Sequence, residues 1–161
     1  MDRPLSLGKG QTNSQPSTVA NMLELLNVER GMKVLDVGAG SGWTTALLAE
    51  LVGPGGRVIG VERISSLATR AAEVVSKGGW PQAEIRRAQP SVFGAPEDAP
   101  FDRILVSAEA NELPKELVAQ LADGGVMVIP VAGVMMRITR FGDQLSTTEH
   151  GYYVFVPLVA G

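Results

Sequence analysis

A glycine-rich loop followed by a spaced acid is the part of the sequence best suited to bind a ligand. In the run VLDVGAGSGWTT, Gly38, Gly40 and Gly42 stand between a strand pattern and a helical pattern. Glycines at such a junction allow a tight turn and let a ligand lie against backbone N–H groups. Glu62 ends the next strand pattern, about 20 residues after Gly42, where a carboxylate can accept both hydroxyls of a ribose. The glycines alone would serve equally well as a plain turn, but with Glu62 they predict a site for an adenosine-containing cofactor.

The residues around this loop discriminate between adenosine-containing cofactors. A dinucleotide fingerprint requires a third glycine at position 43, and the sequence has Trp43 there. Asp36 precedes the loop on the same strand pattern, and its carboxylate favours a ligand that carries an ammonium group. S-adenosylmethionine has such an amino acid moiety, so we predict it as the cofactor. Nicotinamide cofactors are the less favoured alternative. The cofactor-binding residues predicted in this part of the chain are Asp36, Gly38, Ala39, Gly40, Ser41, Gly42, Glu62 and Arg63.

Alternating strand and helix patterns position this loop. They cover residues 16–131, with Pro16 opening the first helix, and indicate right-handed βαβ crossovers on a buried parallel sheet. PKELVAQL is a further helical pattern. Two strand-like runs, VMMRITRF and YYVFVPLV, follow within residues 132–161 and are joined through Gly142-Asp143. We therefore predict an α/β fold with a mostly parallel sheet, helices around it and an antiparallel C-terminal strand pair, and we place His150 in a turn before the last strand.

Composition excludes several classes of function. The chain has 161 residues, of which 45% are hydrophobic, so we expect one domain over residues 1–161. The net charge of -3 and the lack of a basic run argue against nucleic acid as a partner. With no cysteine and a single histidine, His150, the sequence predicts no metal site. No apolar run approaches the roughly 18 residues of a membrane span and no signal region opens the chain, so we expect no membrane association and a cytoplasmic location.

A polar segment, residues 1–15, precedes the first helix, and we call it the collar. It contains the run GKGQTNSQP, which by itself could be a polar N-cap for the helix at Pro16. With this collar, the glycine loop, GRVIGVERI, FDRILVSAEANELPKELVAQLADGGVMVIPV and the closing FVPLVAG, the chain resembles protein-L-isoaspartate O-methyltransferase over nearly its whole length. The collar and FVPLV are specific to that family, whereas the glycine loop is common to many methyltransferases.

The resemblance implies a Rossmann-like S-adenosylmethionine-dependent methyltransferase fold and the repair of isoaspartyl residues in damaged proteins or peptides. In that family the collar folds back over the methyl group of the cofactor. Thr12 and Ser14 would then face both the cofactor and the incoming carboxylate as the catalytic residues, and Gln11 and Asn13 would join them in contacting the cofactor. Hydroxyls and loop N–H groups would supply the donors that a desolvated carboxylate needs. The carboxylate would attack the methyl carbon directly, without a covalent enzyme intermediate.

Four departures from the family concern this site. The family has an N-terminal helical region before the collar, and without it we expect a more open pocket or cover from a second subunit in a homo-oligomer. Gln89, in Ala88-Gln89-Pro90, stands where the family has an aspartate that accepts a hydrogen bond from the adenine amino group, and its carbonyl oxygen would take that role. Asn13 replaces an apolar residue, and Glu109 replaces a small neutral residue near the substrate cleft.

These departures leave three hypotheses open. The first is S-adenosylmethionine-dependent methyl transfer to isoaspartyl carboxylates. The second is a remnant of the family that binds cofactor or peptide without turnover, and the third is a carboxyl methyltransferase with a changed peptide substrate. Arg63 also has two interpretations, since it could flank the adenine or be a solvated loop residue.

Overall fold

The N-terminal part of the chain is described only in short pieces. The computed structural model describes residues 6–8, 11–12 and 15–161, the first two ranges as backbone alone. Strands β1 (Ser6–Gly8) and β2 (Gln11–Thr12) form a small antiparallel pair. Asn13, Ser14 and the side chains of Gln11 and Thr12 lie outside what is described, so the roles expected for them stay predictions.

The rest of the described chain forms a seven-stranded sheet with helices. The helices are α1 (Pro16–Leu26), α2 (Trp43–Val52), α3 (Ser65–Lys77) and α4 (Lys115–Val118). The strands are β3 (Lys33–Val37), β4 (Arg57–Glu62), β5 (Ala83–Arg87), β6 (Phe101–Val106), β7 (Leu121–Val131), β8 (Val134–Phe141) and β9 (Gln144–Tyr152). Their spatial order is β5-β4-β3-β6-β7-β8-β9, parallel from β5 to β7 and antiparallel from β7 to β9. The predicted α/β fold with an antiparallel C-terminal pair is therefore confirmed.

Neighbouring residues of the parallel strands fill two separate cores. On β3, Val34 packs in the core that contains Met22 of α1 and Leu48 of α2, whereas Leu35 packs in the core that contains Leu117 of α4. Successive side chains of a strand point to opposite faces of a sheet, so both faces of β3 are buried. Each fully buried aliphatic side chain contributes about 1.5–3 kcal/mol. This two-sided burial explains the nearly continuous apolar runs from which the parallel sheet was predicted.

The last strand differs from the sequence prediction. VMMRITRF forms β8 as expected, but its partner β9 is Gln144–Tyr152, and YYVFVPLV leaves the sheet after Tyr152. The prediction of a final strand over YYVFVPLV is wrong, and so is the turn at His150, which lies in β9. All nine residues of β9 are exposed, so no alternation of apolar and polar residues marked it. Its position is set by the two-residue turn at Gly142-Asp143, across which Phe141 pairs with Gln144.

The helix predicted over PKELVAQL is shorter than expected. It ends at Val118, and β7 already begins at Leu121. Leu117 and Leu121 are both buried in the same core, and Phe101 of β6 pairs with Leu121. The helix therefore lacks its last predicted turn, because Leu121 pairs with β6 and packs in the core as part of β7.

Candidate cofactor-binding site

A pocket opens at the carboxyl ends of β3, β4 and β6. The chain runs from β3 outward to β4 on one side and later to β6 on the other, so the strand order reverses beside β3. Open parallel sheets bind ligands at this kind of reversal. The walls come from the glycine loop, the end of β4, the segments that follow β5 and β6, and the C-terminal segment, namely residues 37–40, 44, 61–63, 88, 92–94, 107–108 and 156–159.

The glycine loop has a backbone conformation that glycine takes far more readily than other residues. The φ angles are +83° at Gly38, +57° at Gly40 and +89° at Gly42, all in the left-handed region. The N–H groups of Gly38 and Ala39 donate to the Val61 carbonyl oxygen at 3.0 and 3.1 Å. A Cβ atom at position 42 would lie 3.0 Å from the carbonyl oxygen of residue 71 in α3. The three glycines thus form the turn and bring α3 close to the start of α2.

Glu62 lies at the end of β4 and holds the glycine loop. Its Oε1 accepts the Gly40 N–H at 2.9 Å, and its Oε2 accepts the Ile64 N–H at 3.0 Å. The residue is only 6% exposed, and it lines the pocket. A carboxylate oxygen has two lone pairs, so each oxygen of Glu62 can accept a further hydrogen bond from a ligand hydroxyl. The predicted position for a ribose-binding acid is therefore in the pocket wall.

Asp36 lies beneath the loop and is not part of the pocket wall. It is fully buried, and its Oδ2 accepts the Thr45 hydroxyl at 2.7 Å. Its Oδ1 has no hydrogen-bond partner among the described residues. Burial raises the pKa of Asp36 to about 7, the Thr45 hydrogen bond opposes that rise, and the negative charge of Glu62 adds to it. Asp36 does not line the pocket, so this arrangement gives it no direct contact with the ammonium group of a ligand.

The C-terminal segment, residues 156–161, forms a strap along the pocket. The Glu109 N–H donates to the Val156 carbonyl oxygen at 2.7 Å, and the Leu158 N–H donates to the Glu109 carbonyl oxygen at 2.7 Å. Further along, the Ser91 N–H donates to the Gly161 carbonyl oxygen at 2.7 Å. These bonds connect the strap to the segments after β5 and β6. The sequence motif FVPLV was the signal for this wall, but its apolar pattern predicted a strand.

Some of the remaining predicted site residues line the pocket and others lie outside it. Arg63 lines the pocket with Gly38, Ala39, Gly40 and Glu62. Ser41 and Gly42 continue the loop outside the lining, and the Ser41 hydroxyl accepts the Trp43 N–H at 3.4 Å.

The two departures that fall on described residues also lie outside the pocket lining. Gln89 is exposed, and Ala88 takes the place in the wall next to it. Glu109 is half-buried and serves the site through its backbone bonds to the strap. Sequence reasoning missed Thr44, Phe93 and Ser107, which line the pocket from three separate segments. It also missed Thr45, which holds Asp36 beneath the loop.

Two other kinds of feature, a metal site and a membrane-spanning helix, are absent from the described residues. Among residues 6–8, 11–12 and 15–161, no group of three or more His, Asp or Glu side chains could hold a metal ion. Over the same ranges, no helix has both the length and the apolar character needed to cross a bilayer.

Three comparisons with known proteins show the family of this chain. The family model of protein-L-isoaspartate(D-aspartate) O-methyltransferase matches residues 1–161. The protein-L-isoaspartate O-methyltransferase of Methanopyrus kandleri is 45% identical over 99% of this chain and 73% of the relative, and that of Aeropyrum pernix is 54% identical over 85% and 53%. A Plasmodium falciparum crystal structure assigned to the same enzyme, in complex with S-adenosyl-L-homocysteine, is 29% identical, with a TM-score of 0.87 over 100% of this chain and 82% of that one. The chain therefore belongs to the protein-L-isoaspartate O-methyltransferase family.

Proposed function

We propose that this chain transfers the methyl group of S-adenosylmethionine to the carboxylate of L-isoaspartyl residues in damaged proteins or peptides. The observation that carries the proposal is the pocket formed by three left-handed glycines, the carboxylate of Glu62 and the strap of residues 156–161. Family membership adds the reaction, because the relatives with matching sequence are protein-L-isoaspartate O-methyltransferases. The repair function follows from the substrate class.

The pocket residues suit an adenosine group. Glu62 would accept the ribose hydroxyls, since both of its oxygens keep a lone pair after bonding to the loop and to Ile64. Val61, Ala88 and Phe93 give the pocket an apolar part, in which a flat base would be shielded from water. The glycine loop leaves room for the ligand against its backbone. S-adenosylmethionine, when bound, would supply a methyl group made electrophilic by a positively charged sulfur.

The reaction requires the protein mainly to position the two reactants and to exclude water from them. A carboxylate is ionised at neutral pH and is already a nucleophile, so no general base is required. The strap, tied to Glu109 and to Ser91, would keep water from the reacting groups. Thr12 and Ser14 of the collar are proposed to donate hydrogen bonds to the substrate carboxylate and to fix its line of attack. Hydroxyl donors orient a carboxylate without the full opposite charge that would lower its nucleophilicity.

The direct test is methyl transfer to a synthetic peptide. We expect the purified chain, with methyl-labelled S-adenosylmethionine, to form a base-labile methyl ester on an isoaspartyl peptide and none on the same peptide with normal aspartate. Absence of the ester would overturn the proposal. Calorimetric titration with S-adenosylhomocysteine separates the two ways of failing, because binding without transfer indicates a non-catalytic remnant. Transfer to a different carboxylate would indicate a changed substrate.

A matched pair of variants tests the role of Glu62. Glu62→Gln removes the charge and one acceptor next to the ribose, and we expect the dissociation constant of S-adenosylhomocysteine to rise about tenfold or more. Glu73→Gln makes the same chemical change on the exposed side of α3 and should leave the affinity unchanged. Thermal unfolding of both variants shows whether the loop is still held. Equal affinity in the two variants, with both folded, would remove Glu62 from the site.

A further inference from the structure

The two edges of the sheet differ in how they are protected. Strand β5 is five residues long, and two of its side chains, Glu84 and Arg86, take part in ion pairs. Strand β9 is nine residues long and exposed along its whole length. It contains no Pro, Lys or Arg, and among the described residues it pairs only with β8. Long edge strands without such protection are the usual sites at which another strand adds to a sheet.

The pairing of β9 with β8 determines which backbone groups remain available. Phe141 and Gln144 pair across a two-residue turn, and Thr139 and Arg137 pair with Ser146 and Thr148. In an antiparallel hairpin of this kind the closing pair and every second pair after it exchange hydrogen bonds. The intervening residues of β9 therefore direct their N–H and C=O groups away from the sheet, and these are Leu145, Thr147 and Glu149.

We propose that a second copy of this chain pairs with β9 in antiparallel orientation, about a twofold axis at Thr147. The two sheets then join into one continuous sheet. In this register Thr147 faces Thr147 of the second copy, Ser146 faces Thr148, and Leu145 faces Glu149. Every outward backbone group of the three residues at positions 145, 147 and 149 has a partner.

The side chains of β9 suit this self-pairing. Hydroxyl residues stand opposite hydroxyl residues at positions 146, 147 and 148, and such cross-strand pairs stabilise a sheet. No two like charges stand opposite each other, because Glu149 is the only acidic residue of the strand and it faces Leu145. An edge that carried its charge at the axis would repel a second copy, and β9 has Thr147 there.

Charge complementarity favours a second copy over an unrelated extended peptide. Arg140 of β8 pairs with Leu145 of β9, so both side chains lie on the same face of the sheet. Glu149 of the second copy, opposite Leu145, would then lie two strands from Arg140, about 10 Å between backbones, which these two long side chains can span. Among the described residues, the Arg140 guanidinium donates to the carbonyl oxygens of Gly142, Leu121 and Val118 and to no carboxylate. Pairing with Glu149 of the second copy therefore requires the guanidinium to leave the carbonyl groups near β7 and turn toward β9.

Sedimentation equilibrium of the full chain tests the proposal. We expect the mass to rise from 17.0 kDa toward twice that value as the concentration increases from the micromolar to the millimolar range. Hydrogen exchange should show the amides of Leu145, Thr147 and Glu149 becoming protected over the same range. A chain that stays at 17.0 kDa at the highest concentration, with these amides unprotected, overturns the proposal.

Substitutions at the axis identify the interface. Thr147→Lys places two positive charges opposite each other, so we expect the dissociation constant of the dimer to rise about tenfold or more. Thr147→Ser keeps a hydroxyl at the axis and should leave it unchanged. Circular dichroism and methyl transfer per chain should be the same in both, since Thr147 lies outside the pocket lining. If Thr147→Lys does not weaken the dimer, the dimer uses another surface. If an unrelated peptide protects these amides while the chain stays monomeric, β9 is a docking strand for other proteins. Either result overturns the proposal.

Discussion

The parallel part of the sheet, β3 to β7, and the antiparallel hairpin of β8 and β9 differ in how far their side chains are buried. In β3, β4 and β6 nearly every residue is buried, whereas in β9 none is. Parallel strands are covered on both faces, so a polar ligand can reach them only at their ends, and this is where Glu62 and the glycine loop lie. The hairpin has an open edge and uncovered side chains. The parallel part thus carries the proposed cofactor site, and the hairpin carries the proposed contact surface for a second copy.

The largest effect that we expect from this difference concerns stability. Ile104→Ala removes a fully buried side chain of β6 and should lower the free energy of unfolding by about 2–5 kcal/mol, because a cavity remains in the core. Leu145→Ala removes a side chain of β9 that is 42% exposed and should cost less than about 1 kcal/mol. Urea unfolding of the two variants at a concentration below dimerisation measures the difference. Similar losses would show that the hairpin is packed as tightly as the parallel strands.

A second prediction concerns the buried carboxyl group of Asp36. Its native pKa of about 7 lies above the ordinary value, so between about pH 4 and pH 7 the native state holds more protons than the unfolded state. The contribution of this group to the free energy of unfolding therefore becomes less favourable as the pH rises, and the penalty is complete above pH 7. Asp36→Asn removes this titration. Between about pH 4 and pH 7 the free energy of unfolding of the variant should therefore fall by about 2–4 kcal/mol less than that of the wild type.

The measurement is urea unfolding of wild type and Asp36→Asn at several pH values. The amide introduced at position 36 leaves one polar group without a partner, because Oδ1 has none, and this lowers stability equally at every pH. The slope with pH is therefore the informative quantity. Asp143→Asn, in the exposed turn of the hairpin, is the matched control and should keep the wild-type slope. A slope unchanged by Asp36→Asn would mean that Asp36 is ionised throughout.

The smallest expected effect concerns the ion pairs at the β5 edge. Arg86 contacts Glu84 and Asp98 and lies 3.4 Å from Glu97, and its guanidinium lowers the pKa of Asp98. Arg86→Gln should lower the free energy of unfolding at neutral pH by about 1 kcal/mol, since these side chains are partly exposed. The lowered pKa makes Asp98 stabilising above its unfolded pKa, and this contribution is lost as the pH falls through the native value.

Two controls sharpen that result. Arg87→Gln, on the same strand but exposed, and Glu149→Gln, on the unprotected edge, should each change the free energy of unfolding by less than about 0.5 kcal/mol. The difference between Arg86→Gln and wild type should also shrink in acid. If Glu149→Gln were as destabilising as Arg86→Gln in dilute monomer, the hairpin edge would carry a structural ion pair of its own.

Sequence reasoning succeeded where local chemistry requires a residue type. Glycines in a left-handed turn, a proline at the first helical position and an acid at the end of the second strand of the parallel sheet are each demanded by their own surroundings. Gly40, Pro16 and Glu62 were accordingly predicted in the places where the structure has them. The prediction failed at β9, whose residues are all exposed and carry no apolar pattern. It also failed for the strap, since an apolar segment that closes a pocket has the same composition as a buried strand.

By itself, the sequence determined the α/β alternation, the glycine loop and the acid beside it, because periodicity and backbone conformation are properties of a few neighbouring residues. Only the tertiary structure decided that Glu62 binds the loop through Gly40, that Asp36 lies hidden beneath it with Thr45, and that the strap lies along the pocket. These contacts join residues from separate segments. Their formation depends on the packing of the whole sheet, which no local pattern encodes.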